Sequence, residues 1–411
     1  MTHFDLSAAF SLLLATGPEA VKIPLSMLIV FGSAKLMAEL FERLRQPAIV
    51  GEIVAGILIG PSVLGWIEPA ELITALADLG VMFLLFRVGL EVKSSELMRV
   101  GGTALAVAIL GVIVPFALGW GIFQFWGEPQ LESIFVGAAM VATSVGITAQ
   151  VLASGGWLQA KASRIVLAAA VIDDVLGLLV LALVSSMAKG SVNLLELALT
   201  GAVAIAFTII VAKWGTRTME RVVPRVQQRL HICEAQFAFA MVLLFGLSLL
   251  AVYAGVAAII GAFLAGMALS ESVSHRVHDL AHGVTELLVP FFLASIGLHV
   301  DLSVFSQSSI LALALLIVVA AVLAKLVGCG MGAIRLGRAD AFRVGVGMVP
   351  RGEVGMVVAQ IGLGLGVLGE HVYGVVVFMA VATTLAAPPL LRLAYRNLAP
   401  VVPEEAPLRL G

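Results

Sequence analysis

Apolar runs long enough to cross a lipid bilayer repeat from one end of this chain to the other. A helix of about 20 apolar residues spans the hydrocarbon core. Thirteen such runs can be read, at 22–42, 47–66, 72–91, 101–124, 132–154, 163–187, 193–214, 234–254, 256–272, 281–300, 309–334, 342–366 and 372–394. The ninth is short and the boundary at Tyr253-Ala254-Gly255 is soft, so twelve is the competing count. Of 411 residues 61% are hydrophobic and 12% charged, where a soluble domain carries roughly 25% charged. The short alternating segments of a membrane barrel are absent, so helices must satisfy their own backbone in lipid. The expected fold is an all-α integral membrane protein, one polytopic unit over 1–411. The apolar stretch from Phe4 to Ala15 lacks the basic start of a secretory signal and is read as leading into the first helix.

Charge placement tests that map. Arg43, Arg45, Lys93, Arg99, Lys161 and Arg164 lie in or beside the first, third and fifth connections. Lys213, Arg217, Arg221, Arg225 and Arg229 lie in or beside the seventh, Arg276 the ninth, and Arg335, Arg338 and Arg343 the eleventh. Arg392, Arg396 and Arg409 follow the last span, and only Lys22 and Lys189 fall on the other side. The positive-inside rule then puts the N-terminus outside and the C-terminus in the cytoplasm. One span more or fewer would break that pattern. The seventh connection, Thr216 to Ile232, is read as a basic helix lying along the membrane face. The net charge of −2 says nothing about partners, and nothing points to nucleic acid. Cys233 and Cys329 have neither metal nor disulfide spacing and are read as small apolar residues.

Four basic residues remain inside spans: Lys35, Arg87, Lys325 and Arg351. Lys35 and Arg87 stand in the cytoplasmic halves of their helices, from which long side chains reach water. Glu39, Glu52 and Asp78 are likewise near interfaces. Lys325 is too deep for that, in the middle of Val319-Ala-Ala-Val-Leu-Ala-Lys-Leu-Val-Gly328. Asp173 and Asp174 are equally deep, in Ala170-Val-Ile-Asp-Asp-Val-Leu-Gly177. Ionisable groups at such depth face a partner or a cavity. Neighbours on a helix point about 100° apart, so one aspartate can pair with Lys325 while the other faces an aqueous space. Two carboxylates and an ammonium titrate as a coupled set. Burial and the lysine pull carboxylate proton affinity in opposite directions, which suits exchange of a proton for a hard, oxygen-seeking cation. A bare structural ion pair would leave the second aspartate without a purpose.

Two spans carry the residues of an interrupted helix. Span five contains Ala142-Thr-Ser-Val-Gly-Ile-Thr148 and span twelve Gly347-Met-Val-Pro-Arg-Gly-Glu-Val-Gly355. Transporters place such breaks at matching positions of inverted repeats to build their sites. The breaks lie seven spans apart, an odd number, so spans four to six and eleven to thirteen have opposite orientation. Close packing through small residues would explain the first break but not Pro350-Arg351-Gly352-Glu353. Arg351 and Glu353 are read as structural, pairing locally or capping half-helix ends against their dipoles.

These residues resemble a known family. Gln46-Pro-Ala-Ile-Val-Gly-Glu-Ile-Val-Ala-Gly-Ile-Leu-Ile-Gly-Pro61 is similar to the second-helix signature of Kef/NapA-type sodium (or potassium)/proton antiporters. Phe83-Leu-Leu-Phe-Arg-Val-Gly-Leu-Glu91, the two broken segments and Val171-Ile-Asp-Asp-Val-Leu-Gly177 follow in the family's order. The resemblance implies two discontinuous crossing helices, a homodimer in the inner (plasma) membrane and elevator-like alternating access. It implies a transport core over about 101–187 and 309–397, moving against a dimerisation scaffold over about 22–91 and 193–300. It makes Asp174 the ligand of the transported Na+ (or Li+) or of the protons, and Asp173 the partner of Lys325. Thr143 and Ser144 would line the ion/proton-binding site. The Asp-Asp pair resembles electrogenic members, which move more protons than cations. No resident cofactor, catalytic residue or enzyme activity is expected. Arg87 stands where relatives often have an apolar residue, and the nucleotide-binding regulatory domain of Kef-type systems is missing from this chain. The alternatives are potassium/proton exchange on the same fold, a channel needing a continuous pore, and an intramembrane aspartyl protease. The last needs two carboxylates sharing a proton, which neighbours on one helix are poorly placed to do.

Overall fold

A computed structural model describes residues 19–44, 46–92, 94–188, 194–229, 234–300 and 308–398. The stretch from Phe4 to Ala15, Arg45, Lys93, Lys189, Cys233 and the tail from Ala399 lie outside the described residues, as do the side chains of Arg99, Arg229 and Glu353. The described residues form α-helices and one short 3-10 turn. In chain order these are α1 (Glu19–Arg43), α2 (Ala48–Ile59), α3 (Glu71–Glu91), α4 (Ser94–Trp126), α5 (Gln130–Val141), α6 (Val145–Ser154), α7 (Lys161–Ala188) and α8 (Leu194–Arg229). They continue with α9 (Ala235–Tyr253), α10 (Ala258–Leu269), α11 (His275–Leu298), α12 (Ser308–Gly332), α13 (Arg338–Gly347), α14 (Gly352–Gly364) and α15 (Glu370–Tyr395).

Ten of the described spans are long and apolar enough to cross a membrane, with α5 and α6 together making one. Three shorter apolar helices, Ala48–Ile59, Ala258–Leu269 and Gly355–Gly364, stand at the second, ninth and twelfth spans. Thirteen positions, rather than twelve, are therefore filled. The soft boundary after Tyr253 is a real turn: Gly255 adopts φ +77°, and the Val256 amide folds back onto the Ala251 carbonyl.

Two boundaries differ from expectation. The second span does not run to residue 66. α2 stops at Ile59, and the chain folds back so that Trp66 and Ile67 both donate to the Ile59 carbonyl. Gly60 followed by Pro61 cannot continue a helix, and Gly65, at φ +62°, makes the reversal. The seventh connection is not a separate helix on the membrane face. α8 runs unbroken through Thr216 to Arg229, a length of about 54 Å at 1.5 Å per residue. Its basic stretch stays in line with the spanning part because Thr216 and Val223 are buried on the inner face, the Thr216 hydroxyl meeting the Met267 carbonyl.

The helices pack in two sets. α3 lies between α10 and α11, α2 between α1 and α11, and α8 and α9 lie against α10. In the second set α4 packs on α5, α7 and α12, while α15 packs on α12, α13 and α14. The sets meet where α3 runs beside α6 and α7 beside α8. Within the first set, backbones touch. A side-chain carbon on Gly56 would overlap the Ala294 carbonyl, and one on Gly297 would overlap Ile53. Gly89 and Gly266 make the same reciprocal contact between α3 and α10, against Phe263 and Phe86. Small residues allow this close approach in lipid, where packing and not hydrophobicity drives association.

Candidate functional site

Both expected breaks are present. Helix gives way between Val141 and Val145, and again between Gly347 and Gly352. Each interruption strands backbone groups at mid-membrane, where an unsatisfied one costs several kcal/mol. The breaks supply one another. The Ser144 amide donates to the Pro350 carbonyl at 2.8 Å, and the Thr148 hydroxyl to the Gly347 carbonyl at 2.7 Å. They cross so tightly that a side chain on Gly352 would overlap Ser144. Gly352 also holds φ +45°, a left-handed conformation natural only to glycine.

Arg351 closes the crossing. Its guanidinium is fully buried and donates from Nη1 to the Val141 and Ala142 carbonyls, both at 3.2 Å. Nη2 donates to the Ala321 carbonyl of α12 at 3.1 Å. The first two carbonyls belong to the C-terminal end of α5, the negative end of its dipole, where a cation is favoured. Arg351 thus caps a half-helix and ties it to α12. The side chain of Glu353, read from the sequence as its companion, lies outside the described residues.

One turn beyond Ala321, Lys325 faces Asp173. The ammonium donates to both carboxylate oxygens, at 3.2 and 3.3 Å, and the side chains are 0% and 1% exposed. Room for this pair comes from Gly111 on α4. A side-chain carbon there would crowd the Cys329 sulfur and approach Lys325 Nζ to 3.3 Å. Nothing in the local sequence marks Gly111 for that purpose. Asp174 follows Asp173 on α7 and is 7% exposed. Two carboxylates, one ammonium and one guanidinium therefore make a buried set that is neutral when all are ionised, the condition under which buried charges are tolerable.

Thr143 and Ser144 lie in the first break, 2% and 0% exposed. Thr143 Oγ1 is sealed from solvent and has no hydrogen-bond partner among the described residues, and the same holds for Thr384 Oγ1 on α15. Thr384 cannot be picked out from the sequence, since a threonine in an apolar run carries no local signal. Between them these buried groups offer carboxylate and hydroxyl oxygens, the donor set of a hard cation. Among the described residues no cluster of His, Cys, Asp and Glu forms a site for a tightly held metal.

Lys35 and Arg87 do not simply reach for water. Lys35 pairs with Glu52 at 3.0 Å, and both lean toward Glu286 of α11, Lys35 at 3.9 Å and Arg87 at 4.0 Å. His282 stands 3.7 Å from the same carboxylate. Glu286 lies near the end of a span and passes in the sequence for an interfacial residue. Its hub position depends on packing between α1, α2, α3 and α11.

Known proteins resemble this chain in sequence and in fold. A family model described as "Sodium/hydrogen exchanger, transmembrane" matches residues 27–393. The chain is 35% identical over 373 residues to the Na(+)/H(+)-K(+) antiporter GerN of Bacillus cereus, covering 89% of this chain and 94% of that protein. It is 32% identical over 430 residues to the high-affinity Na(+)/H(+) antiporter NhaS3 of Synechocystis sp., covering 93% and 91%. The structure of the sodium proton antiporter MjNhaP1 from Methanocaldococcus jannaschii shares the fold, with TM-score 0.63 at 18% identity, over 90% of this chain and 96% of that one.

Proposed function

We propose, for a chain that belongs to the transmembrane sodium/hydrogen exchanger family, that it exchanges Na+ or Li+ for protons through Asp174. One observation carries the reading: Asp173 is already held by Lys325 in a closed pair, and a second buried carboxylate follows it directly on α7. Asp174 is then the carboxylate that alternates between a proton and a partly dehydrated cation, with Thr143 and Ser144 lending oxygens. Lys325 and Asp173 tune it. When the cation arrives, its positive charge favours loss of a proton from the lysine–aspartate pair as well as from Asp174. Exchange then moves more protons than cations and is electrogenic.

Two further readings belong to this proposal. The helices of 101–187 and 309–397 form a transport core that slides against a scaffold of 22–91 and 193–300. The first set's backbone contacts and the crossing's internal bonds support two stiff bodies. The protein is a multi-pass homodimer of the plasma membrane, N-terminus outside and C-terminus cytoplasmic, as the distribution of arginines favours.

Everted vesicles holding the protein should alkalinise inside when Na+ or Li+ is added, and Asp174→Asn should abolish the response. Absence of any cation-evoked pH change between about pH 6.5 and 9, a range set to bracket the physiological titration window, would sink the reading. Potassium belongs in the same assay, since GerN carries K(+) in its name. A response to K+ equal to that for Na+ would make this chain a potassium/proton exchanger of the same design.

A further inference from the structure

We infer that Gln150 is an access ligand for the transported cation, on the route between the crossing and the membrane face where α6 ends. This rests on the exchange reading above and adds a residue to it.

α6 turns one face to the scaffold. At Gly146 the space a side chain would fill is taken by Val81 of α3 and the Phe292 ring of α11. Residues four apart share a helix face, so Gln150 lies on the same side, one turn further from the break. α3 runs alongside in the same direction, and at the far end Gln159, beyond α6, donates to the Glu91 carbonyl at 2.7 Å. Between these two points α3 presents Leu84, Leu85 and Val88, which are buried in one apolar cluster with Val145, Ala149 and Leu152 of α6. The seam is thus apolar on the α3 side. Ala149 and Ala153 flank Gln150 on α6, and the next side-chain hydroxyl, that of Ser154, is turned back onto the Gln150 carbonyl.

Gln150, half-buried on that face of α6, carries an amide whose Oε1 is itself sealed from solvent and has no hydrogen-bond partner among the described residues. Leaving a buried acceptor unmade is costly, and native structures seldom do so without a reason. Packing alone would be served by leucine at this position. A neutral oxygen here has a use of its own. An alkali cation moving along an apolar wall must replace the water it sheds, and a carbonyl oxygen replaces it without the grip of a full charge. Gln150 sits about 9 Å along the helix from Ser144 at 1.5 Å per residue, one step outside the crossing.

Sided kinetics test this. Everted vesicles present the cytoplasmic face to added Na+, and right-side-out vesicles present the other. Gln150→Leu should raise the KM for Na+ at the cytoplasmic face about tenfold, leaving the maximal rate and the KM at the opposite face within about twofold. Gln150→Glu keeps an oxygen and should hold the cytoplasmic KM at or below the wild-type value. An unchanged KM in Gln150→Leu, or an equal rise at both faces, would overturn the inference. So would equal impairment by leucine and glutamate with a matching loss of melting temperature, which marks a packing role. If wild-type vesicles show no exchange at all, the antiport reading itself fails, and that outcome is separate from these.

Discussion

Lys325 and Lys35 each hold a carboxylate across two helices at nearly the same distance, 3.2 Å for Asp173 and 3.0 Å for Glu52. Their surroundings are opposite. The first pair is 0% and 1% exposed; in the second the lysine is 40% exposed and its partner 7%. Lys325 and Asp173 are sealed from the surface, and each depends on the other. Around Glu286, Lys35, Arg87 and the His282 ring share one carboxylate that is itself 52% exposed, none closer than 3.7 Å. Contact length does not separate a pair that fixes the fold from one that decorates it. Access of solvent does.

The largest effect should come from breaking the dry pair. Lys325→Met strands a buried carboxylate and is expected to cost about 3–5 kcal/mol, seen as a large drop in melting temperature in detergent. Adding Asp173→Leu should recover much of it, because two apolar groups replace the pair. Failure of the double substitution to recover would mean that the pair is held in place for a reason other than its own balance. Gly352→Ala comes next, forcing a left-handed residue onto Ser144, at about 1–3 kcal/mol. Thr148→Val removes one bond between the breaks and should cost about 1 kcal/mol. The smallest effect belongs to the wet cluster: Glu286→Gln should change stability by less than ~1 kcal/mol and less still in high salt. If Glu286→Gln destabilised as strongly as Lys325→Met, the contrast between the two regions would be wrong.

What the sequence discloses follows the same division. The spans, both breaks and the depth of Asp173, Asp174 and Lys325 are visible because each is a local departure from an apolar background. That Lys325 meets one of the two aspartates follows from depth and the rarity of charge; that the partner is Asp173 is implied only by the family resemblance. The role of Arg351 is only half visible, since its acceptors are carbonyls of Val141, Ala142 and Ala321, and every residue has a carbonyl. Gly111 and Glu286 are invisible for a related reason: their importance comes from what packs against them. The continuation of α8 to Arg229 escapes a hydropathy reading because a helix does not end where its polarity changes.

The glycine contacts of the first helix set bear on mechanics. Where α2 meets α11 and α3 meets α10, the touching parts are main chain on both sides, which yields very little under load. Where α3 meets α6, Gly146 touches the Val81 methyl and the Phe292 ring, side chains that can rotate aside. That contact therefore has more give than the main-chain contacts at Gly56, Gly89, Gly266 and Gly297.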